Sequence, residues 1–282
     1  MTKKINSEEL NPSEIQSYYE GGHEQARLAS GPSQVERART EELLTRFLPS
    51  PPAVILDVGG GPGAYALWLS AKGYEVHLID PVPLHVEQAL EASGSCPDRP
   101  IASVSLGDAR KLERPDASAD AVLLLGPLYH LTERRDRIAA WSEAHRVLCP
   151  EGVVLAVGIS RFASTLDGLF RGLLDDPEFV RIVERDLIDG QHRNLSDHPE
   201  YFTKAFFHLP EELKGEAEEA GLHVERILAV EGPAWLLQDF EQHWKDPVRR
   251  EHLLNAVRSI EEQPALLGAS AHLLIVARKT RR

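Results

Sequence analysis

The chain has 282 residues, 42% apolar and 27% charged, enough for one sizeable core or one core with an elaborated lid. Acidic side chains outnumber basic ones 44 to 31, and a net charge of −13 repels nucleic-acid phosphates and anionic lipid heads. Cys96 and Cys149 lack metal or redox spacing, no apolar run nears the roughly 20 residues that span a bilayer, and the N-terminus has no apolar leader. The expectation is a cytoplasmic protein with reduced thiols, acting on neither nucleic acid nor membrane.

In chain order, residues 1–33 are polar and broken at Gly21-Gly22 and Gly31-Pro32, which predicts a lid segment of one or two short helices outside the core. Val35, Ala38, Leu43, Leu44, Phe47 and Leu48 recur near helical spacing, so 34–48 reads as an amphipathic helix that Pro49, Pro51 and Pro52 end. An alternation follows: strands at 53–58, 75–79, 101–106, 119–125 and 153–159, and helices at 64–72, 84–93 and from a Thr132 cap to 148. Strands this apolar are expected to be buried on both faces, as in a parallel sheet covered by helices.

Beyond 160 the rhythm changes. Residues 161–189 read as two helices split at Asp176-Pro177, and 190–209 are rich in His and aromatics without a period. A helix at 211–220, a sixth strand at 224–230, a mainly helical stretch at 234–263 and a seventh strand at 271–277 complete the chain. The reading is one domain over 34–282, with cap insertions at about 161–209 and 232–268.

The informative stretch runs from Val54 through Asp57, Gly59, Gly60 and Gly61 to Gly63. A strand ends there and must turn sharply into a helix. Glycine permits the turn and removes the Cβ that would block a ligand, while the helix's first N–H groups face the bound molecule. A tight turn alone would use the same glycines. The acids add weight. Asp57 lies just before the glycines, Asp80 ends the second strand, and Asp108 follows the third, so three carboxylates come to one sheet edge at the switch point. Asp80, expected to cap its strand at that surface edge, can accept two hydrogen bonds from a ribose diol.

The D-x-G-x-G-x-G pattern met by Asp57, Gly59, Gly61 and Gly63 resembles the class I S-adenosylmethionine-dependent methyltransferases, strongly over about 53–160. The resemblance implies an α/β, Rossmann-like, seven-stranded sheet of order 3-2-1-4-5-7-6. Strand seven would run antiparallel, with helices on both faces and a helical cap. It implies S-adenosylmethionine as cofactor and methyl transfer to a small-molecule nucleophile. Asp80 would hold the ribose hydroxyls, and Asp108 with Ala109 would meet the adenine. Gly59–Gly63 would pass under the methionine part, which Asp57 helps place. Leu125 and Gly126 would line the methyl-transfer edge. An N-terminal helix often folds over the cofactor in this family. Tyr18 and Tyr19 would then close the pocket, Arg27 would meet the cofactor carboxylate and His23 would face the substrate.

Gly61-Pro62-Gly63-Ala64-Tyr65-Ala66 also fits G-x-G-x-x-A, the mark of an NAD(P)-dependent oxidoreductase, but Asp57 interrupts the strand and such an enzyme has no need of Asp108. A non-catalytic cofactor-binding protein of the same fold is the third reading. Methyl transfer needs a nucleophile held in line and, for some substrates, a base. Tyr129 and His130 follow strand four directly. His130, which ordinarily titrates near neutrality, reads as that base or as a histidine that orients the loop, and Tyr129 can stack or hydrogen-bond. His208 is the cap histidine expected to reach the substrate. The spacing of His, Cys and Asp predicts no metal.

Overall fold

The computed structural model describes residues 28, 30–196, 198 and 200–281. In chain order these form α1 (Ser33–Phe47), β1 (Val54–Val58), α2 (Ala64–Ala71), β2 (Glu75–Asp80), α3 (Pro83–Gly94), β3 (Ser103–Leu106) and β4 (Ala119–Leu124). Next come α4 (Pro127–His130), α5 (Arg134–Val147), β5 (Leu148–Ser160), α6 (Ala163–Arg171), α7 (Pro177–Asp189), β6 (Gln191–His192) and β7 (Ala205–His208). The chain closes with α8 (Pro210–Glu219), β8 (His223–Ala229), α9 (Phe240–Lys245), α10 (Pro247–Ile260) and β9 (His272–Arg278).

β3, β2, β1, β4 and β5 pair in parallel in that spatial order, and β9 lies antiparallel between β5 and β8. With β8 and β9 as sixth and seventh strands, this is the expected 3-2-1-4-5-7-6 sheet. Alternate side chains feed two cores. Leu56, Val58, Val122 and Leu124 meet Trp141 and Val147 of α5 on one face. Ile55, Leu78, Leu123 and Leu155 meet Leu43 and Leu44 of α1 and Leu69 of α2 on the other. Burial on both faces accounts for the continuous apolar runs.

The sequence reading needs two corrections here. Thr132 does not cap α5. That helix begins at Arg134 with Glu133 as N-cap and no side-chain cap, while the Thr132 carbonyl accepts from the Arg137 guanidinium at 2.9 Å. The first insertion is also not wholly helical. β5 runs beyond the end of β4, whose last pair is Leu124 with Ala156, so the tip of β5 would be left without a partner on that side. β7 supplies one, pairing Phe207 with Ile159 and His208 with Ser160 in parallel, and β6 pairs antiparallel to β7. Exposed strand edges are costly, and a short strand covers this one. No helix among the described residues is long and apolar enough to cross a membrane.

Candidate active site

β1 delivers the chain to the glycine turn. Gly59 donates to the Ile79 carbonyl at 2.7 Å and Gly61 donates to Asp80 Oδ2 at 2.8 Å, so the turn is stitched to β2. Gly60 sits so close to Asp57 that a Cβ would lie 2.7 Å from Asp57 Oδ2. At Gly61, with φ +56°, a Cβ would meet nothing within 4 Å and would project into open space. That space is a cleft lined by Asp57, Gly59, Gly60, Gly61, Leu125 and Gly126, and by Tyr129 from α4.

Asp57 is 1% exposed, and its Oδ2 has no hydrogen-bond partner among the described residues. Burial, reinforced by the neighbouring negative charge of Asp80, pushes its pKa up to about 7. A buried carboxylate left unsatisfied on a cleft wall is poised for a cationic or hydrogen-bond-donating ligand.

Of the other predicted cofactor residues, Gly63, Asp80, Asp108 and Ala109 do not line this cleft. Asp80 is not a surface-edge carboxylate. It is 3% exposed, and its Oδ1 accepts from the Val82 amide at 2.9 Å and from His85 Nδ1 at 3.1 Å. With the bond from Gly61, it braces the glycine turn from within the protein. Asp108 is half-buried and forked by Arg110, which Asp136 supports at 3.1 Å. Burial works against the Asp108 charge, but the Arg110 hydrogen bonds win and hold it below the usual carboxylate range. Ala109 packs in the core. Gly63, φ +89°, begins α2 where a Cβ would press within 3.3 Å of Ala89 and Ile101, so its place is helix packing and not ligand approach. Tyr18, Tyr19, His23 and Arg27 lie outside the described residues.

Two of the expected histidines lie away from both spaces. His130 lines neither this cleft nor the cavity beside it, and burial lowers its pKa to about 4, with His85 adding to the shift against Asp80. A group that titrates there is a poor proton acceptor near neutrality. His208 is fully buried behind β5, 3.5 Å from Glu216 Oε2, and Arg137 holds the other oxygen of that carboxylate, Oε1, at 2.7 Å. It is part of a closed internal network and cannot reach a substrate.

Beside the cleft lies a second cavity of about 320 Å³ under α6, α7 and the β6–β7 pair. Tyr129, Glu36 and His272 line both spaces and form the seam between them. Glu231 stands behind the seam at 2% exposure. His272 Nδ1 donates to Glu231 Oε1 at 2.5 Å, and Glu231 Oε2 accepts from the Ser270 hydroxyl at 2.8 Å and from the His272 amide at 3.1 Å. With a carboxylate as its partner, Nδ1 is the nitrogen that carries the proton. Ligand atoms of Glu36, Glu231 and His272 also fall within 4.8 Å of one another, a grouping that can hold a cation. Both oxygens of Glu231 are already engaged, however, and the hydrogen-bonded His–Glu pair is the built feature. Sequence reasoning missed all three residues. His272 opens β9 beside Ile159 of β5, and Glu231 follows β8, so both lie at the sheet edge that carries the glycine turn. The strand-end rule, applied to the last two strands, would have found them.

Residues 56–156 match the family model described as a methyltransferase domain. The chain is 27% identical over 183 residues to the S-adenosyl-L-methionine-dependent Diels-Alderase iccD of Talaromyces variabilis, covering 54% of this chain and 62% of that protein. It is 30% identical over 138 residues to the ubiquinone/menaquinone biosynthesis C-methyltransferase UbiE of Caulobacter vibrioides, covering 45% and 52%. The chain thus spans less than two thirds of each of these relatives. A solved S-adenosylmethionine-dependent methyltransferase from Methanosarcina mazei shares the fold with a TM-score of 0.58 at 16% identity, over 85% of this chain and 98% of that one.

Proposed function

We propose that this chain, which carries the methyltransferase domain of the class I S-adenosylmethionine-dependent family, transfers a methyl group from S-adenosylmethionine to a small-molecule nucleophile held in the second cavity. The observation that carries the reading is Asp57, a buried carboxylate with an unsatisfied oxygen on the cleft wall that also carries Gly59, Gly60 and Gly61. Such a wall suits the cationic amino-acid end of this cofactor, which when bound supplies a methyl on a sulfonium leaving group. Leu125, Gly126 and Tyr129 exclude water along the path to the acceptor. Asp80 holds the turn in shape, and its service to a ribose would require it to exchange a protein donor for a hydroxyl. His272, oriented by Glu231, replaces His130 as the group that takes a proton from the acceptor. The acidic balance of the chain supports a small molecule over nucleic acid, and its two thiols fit a cytoplasmic setting.

A second reading rests on the similarity to a Diels-Alderase: the chain binds the cofactor and closes a ring in the second cavity with no methyl lost. One experiment separates the two. Protein is incubated with methyl-labelled cofactor and a metabolite panel, while heat protection by S-adenosylmethionine and by NAD(P) is measured in parallel. The proposal expects protection by the former and label in a product. His272→Asn and Glu231→Gln should then lower turnover about 100-fold with cofactor affinity unchanged. Protection only by NAD(P) would sink the assignment, and cyclised product without label would establish the second reading.

A further inference from the structure

The second cavity has a chemical character of its own. Four carboxylates line it, from Glu36, Asp167, Glu200 and Glu231, and no Lys or Arg does so among the described residues. Arg171, outside the lining, reaches Asp167 at 2.9 Å and Glu200 at 4.0 Å, and Glu231 is bonded to His272. Burial raises the Asp167 pKa even with Arg171 beside it, so this carboxylate is short of compensating charge.

The remaining wall is aromatic. Tyr129, Phe202, Phe207 and Trp235 present rings to the cavity, and Phe202 lies edge-on to Tyr129 at 6.4 Å. Trp235 is fixed by its indole N–H, which donates to the Ala269 carbonyl at 3.0 Å. Ring faces attract cations by about 0.5 to 2 kcal/mol each, and opposite charges at short range in a partly dry site attract more strongly than in water. An anionic acceptor would be repelled by the carboxylates of Asp167 and Glu200, and a neutral alcohol would gain from neither effect.

Resting on the proposed methyl transfer, we infer that the acceptor held in this cavity is a protonated amine on an apolar body. The ammonium enters between the carboxylates and rings, and when it reaches the seam it must lose one proton before its nitrogen can attack. That proton passes to His272 Nε2, whose basicity Glu231 sustains. The neutral amine then forms the N–C bond as the S–C bond breaks, and that bond's electron pair stays on sulfur. Two residues chosen for recognition, Asp167 and Glu200, stand apart from the proton-accepting pair.

The test uses the full chain saturated with S-adenosylhomocysteine and a panel of matched trios, each an amine, an alcohol and a carboxylate on one phenylalkyl or alkyl body. Calorimetry should find the amine bound at least tenfold more tightly than its alcohol in one or more trios, with the carboxylate undetected. Raising the salt concentration should narrow the gap. Asp167→Asn with Glu200→Gln should reduce the amine preference about tenfold while S-adenosylhomocysteine affinity stays as in the parent. Equal affinities within every trio, a preference for carboxylates, or no amine binding at all would overturn the inference. Any of those with S-adenosylhomocysteine bound normally leaves the methyl-transfer reading standing, whereas failure to bind S-adenosylhomocysteine strikes that reading instead.

Discussion

The two halves of the site are built in opposite ways. The cleft takes most of its lining from two short runs of chain at parallel strand ends, Asp57–Tyr65 and Leu125–Tyr129, with side chains of α1, Val157, Val230 and His272 closing it. The adjoining cavity draws residues from α1, α4, α6, α7, β6, β7, the segment after β8 and the start of β9, and its walls are side chains. A backbone wall fits a ligand through shape and is intolerant of any Cβ. A side-chain wall fits through charge and aromatic area and can change one residue at a time. Four substitutions test that contrast.

The largest effect is expected at Gly61. A valine there adds bulk where no protein atom lies within 4 Å, so the strain is local to φ +56° while the side chain fills the cleft. Gly61→Val should weaken cofactor binding more than 100-fold with an unchanged far-UV circular dichroism spectrum. Normal binding by calorimetry would show that the turn does not approach the ligand.

Asp80 comes next, and it is a matter of stability. Asp80→Ala removes the acceptor for Gly61, Val82 and His85 from a buried position. Losing hydrogen bonds to a buried charge costs about 2–3 kcal/mol, so the melting temperature should fall by several degrees before any ligand is added. A variant as stable as the parent would mean that the turn holds itself.

Asp57 links binding to protons. Its ordinary value is 3.8 and its folded value is about 7, so the folded chain holds a proton that the unfolded chain has released. Stability should therefore fall as pH rises from about 4 to about 7, and Asp57→Asn should flatten that slope. A cationic ligand favours the ionised carboxylate, so binding of S-adenosylmethionine near pH 7 should expel a fraction of a proton. Calorimetry in buffers of different ionisation enthalpy reads that release, and the same release from Asp57→Asn would place its source elsewhere.

The smallest effect is expected at His130. Already neutral at pH 7 with a value of about 4, it should contribute no limb to the pH–rate profile near neutrality. Its burial should instead remove stability as pH falls from about 6.5 towards 4, where the unfolded chain takes a proton that the folded chain refuses. His130→Gln should keep turnover within a few-fold of the parent. A drop of 100-fold, recovered at high pH, would restore it as the base.

Sequence alone carried the cleft because local physics dictates it. An apolar strand, a glycine turn and an acid inside the strand occupy neighbouring positions, so Asp57, Gly59, Gly60 and Gly61 could be read together. Burial was not legible. Asp80 reads as a strand-end acid, and only three-dimensional packing reveals the His85 ring and two amides around it. His130 and His208 fail for the same reason: their distance from the glycine turn along the chain says nothing of which side of the sheet encloses them. Glu231 and His272 stand at the ends of strands, but Glu36 joins them from α1, and no local pattern marks that meeting. β7 escaped because Ala205–His208 is buried throughout and shows neither alternation nor helical period.

The pairing of Ser160 with His208 has a further consequence. The first insertion leaves the sheet and returns to it at adjacent positions, and Arg161 staples the junction by donating from its backbone to the His208 carbonyl and from its side chain to that of Phe207, both at 2.8 Å. A segment whose two ends already touch can be lengthened, shortened or exchanged at little entropic cost to the frame that carries it. The wall that this segment gives the second cavity, from Ala163 to Phe207, is thus a replaceable cassette on a fixed platform. Grafting a different cap between Arg161 and Phe207 is the shortest route to a new substrate on this scaffold.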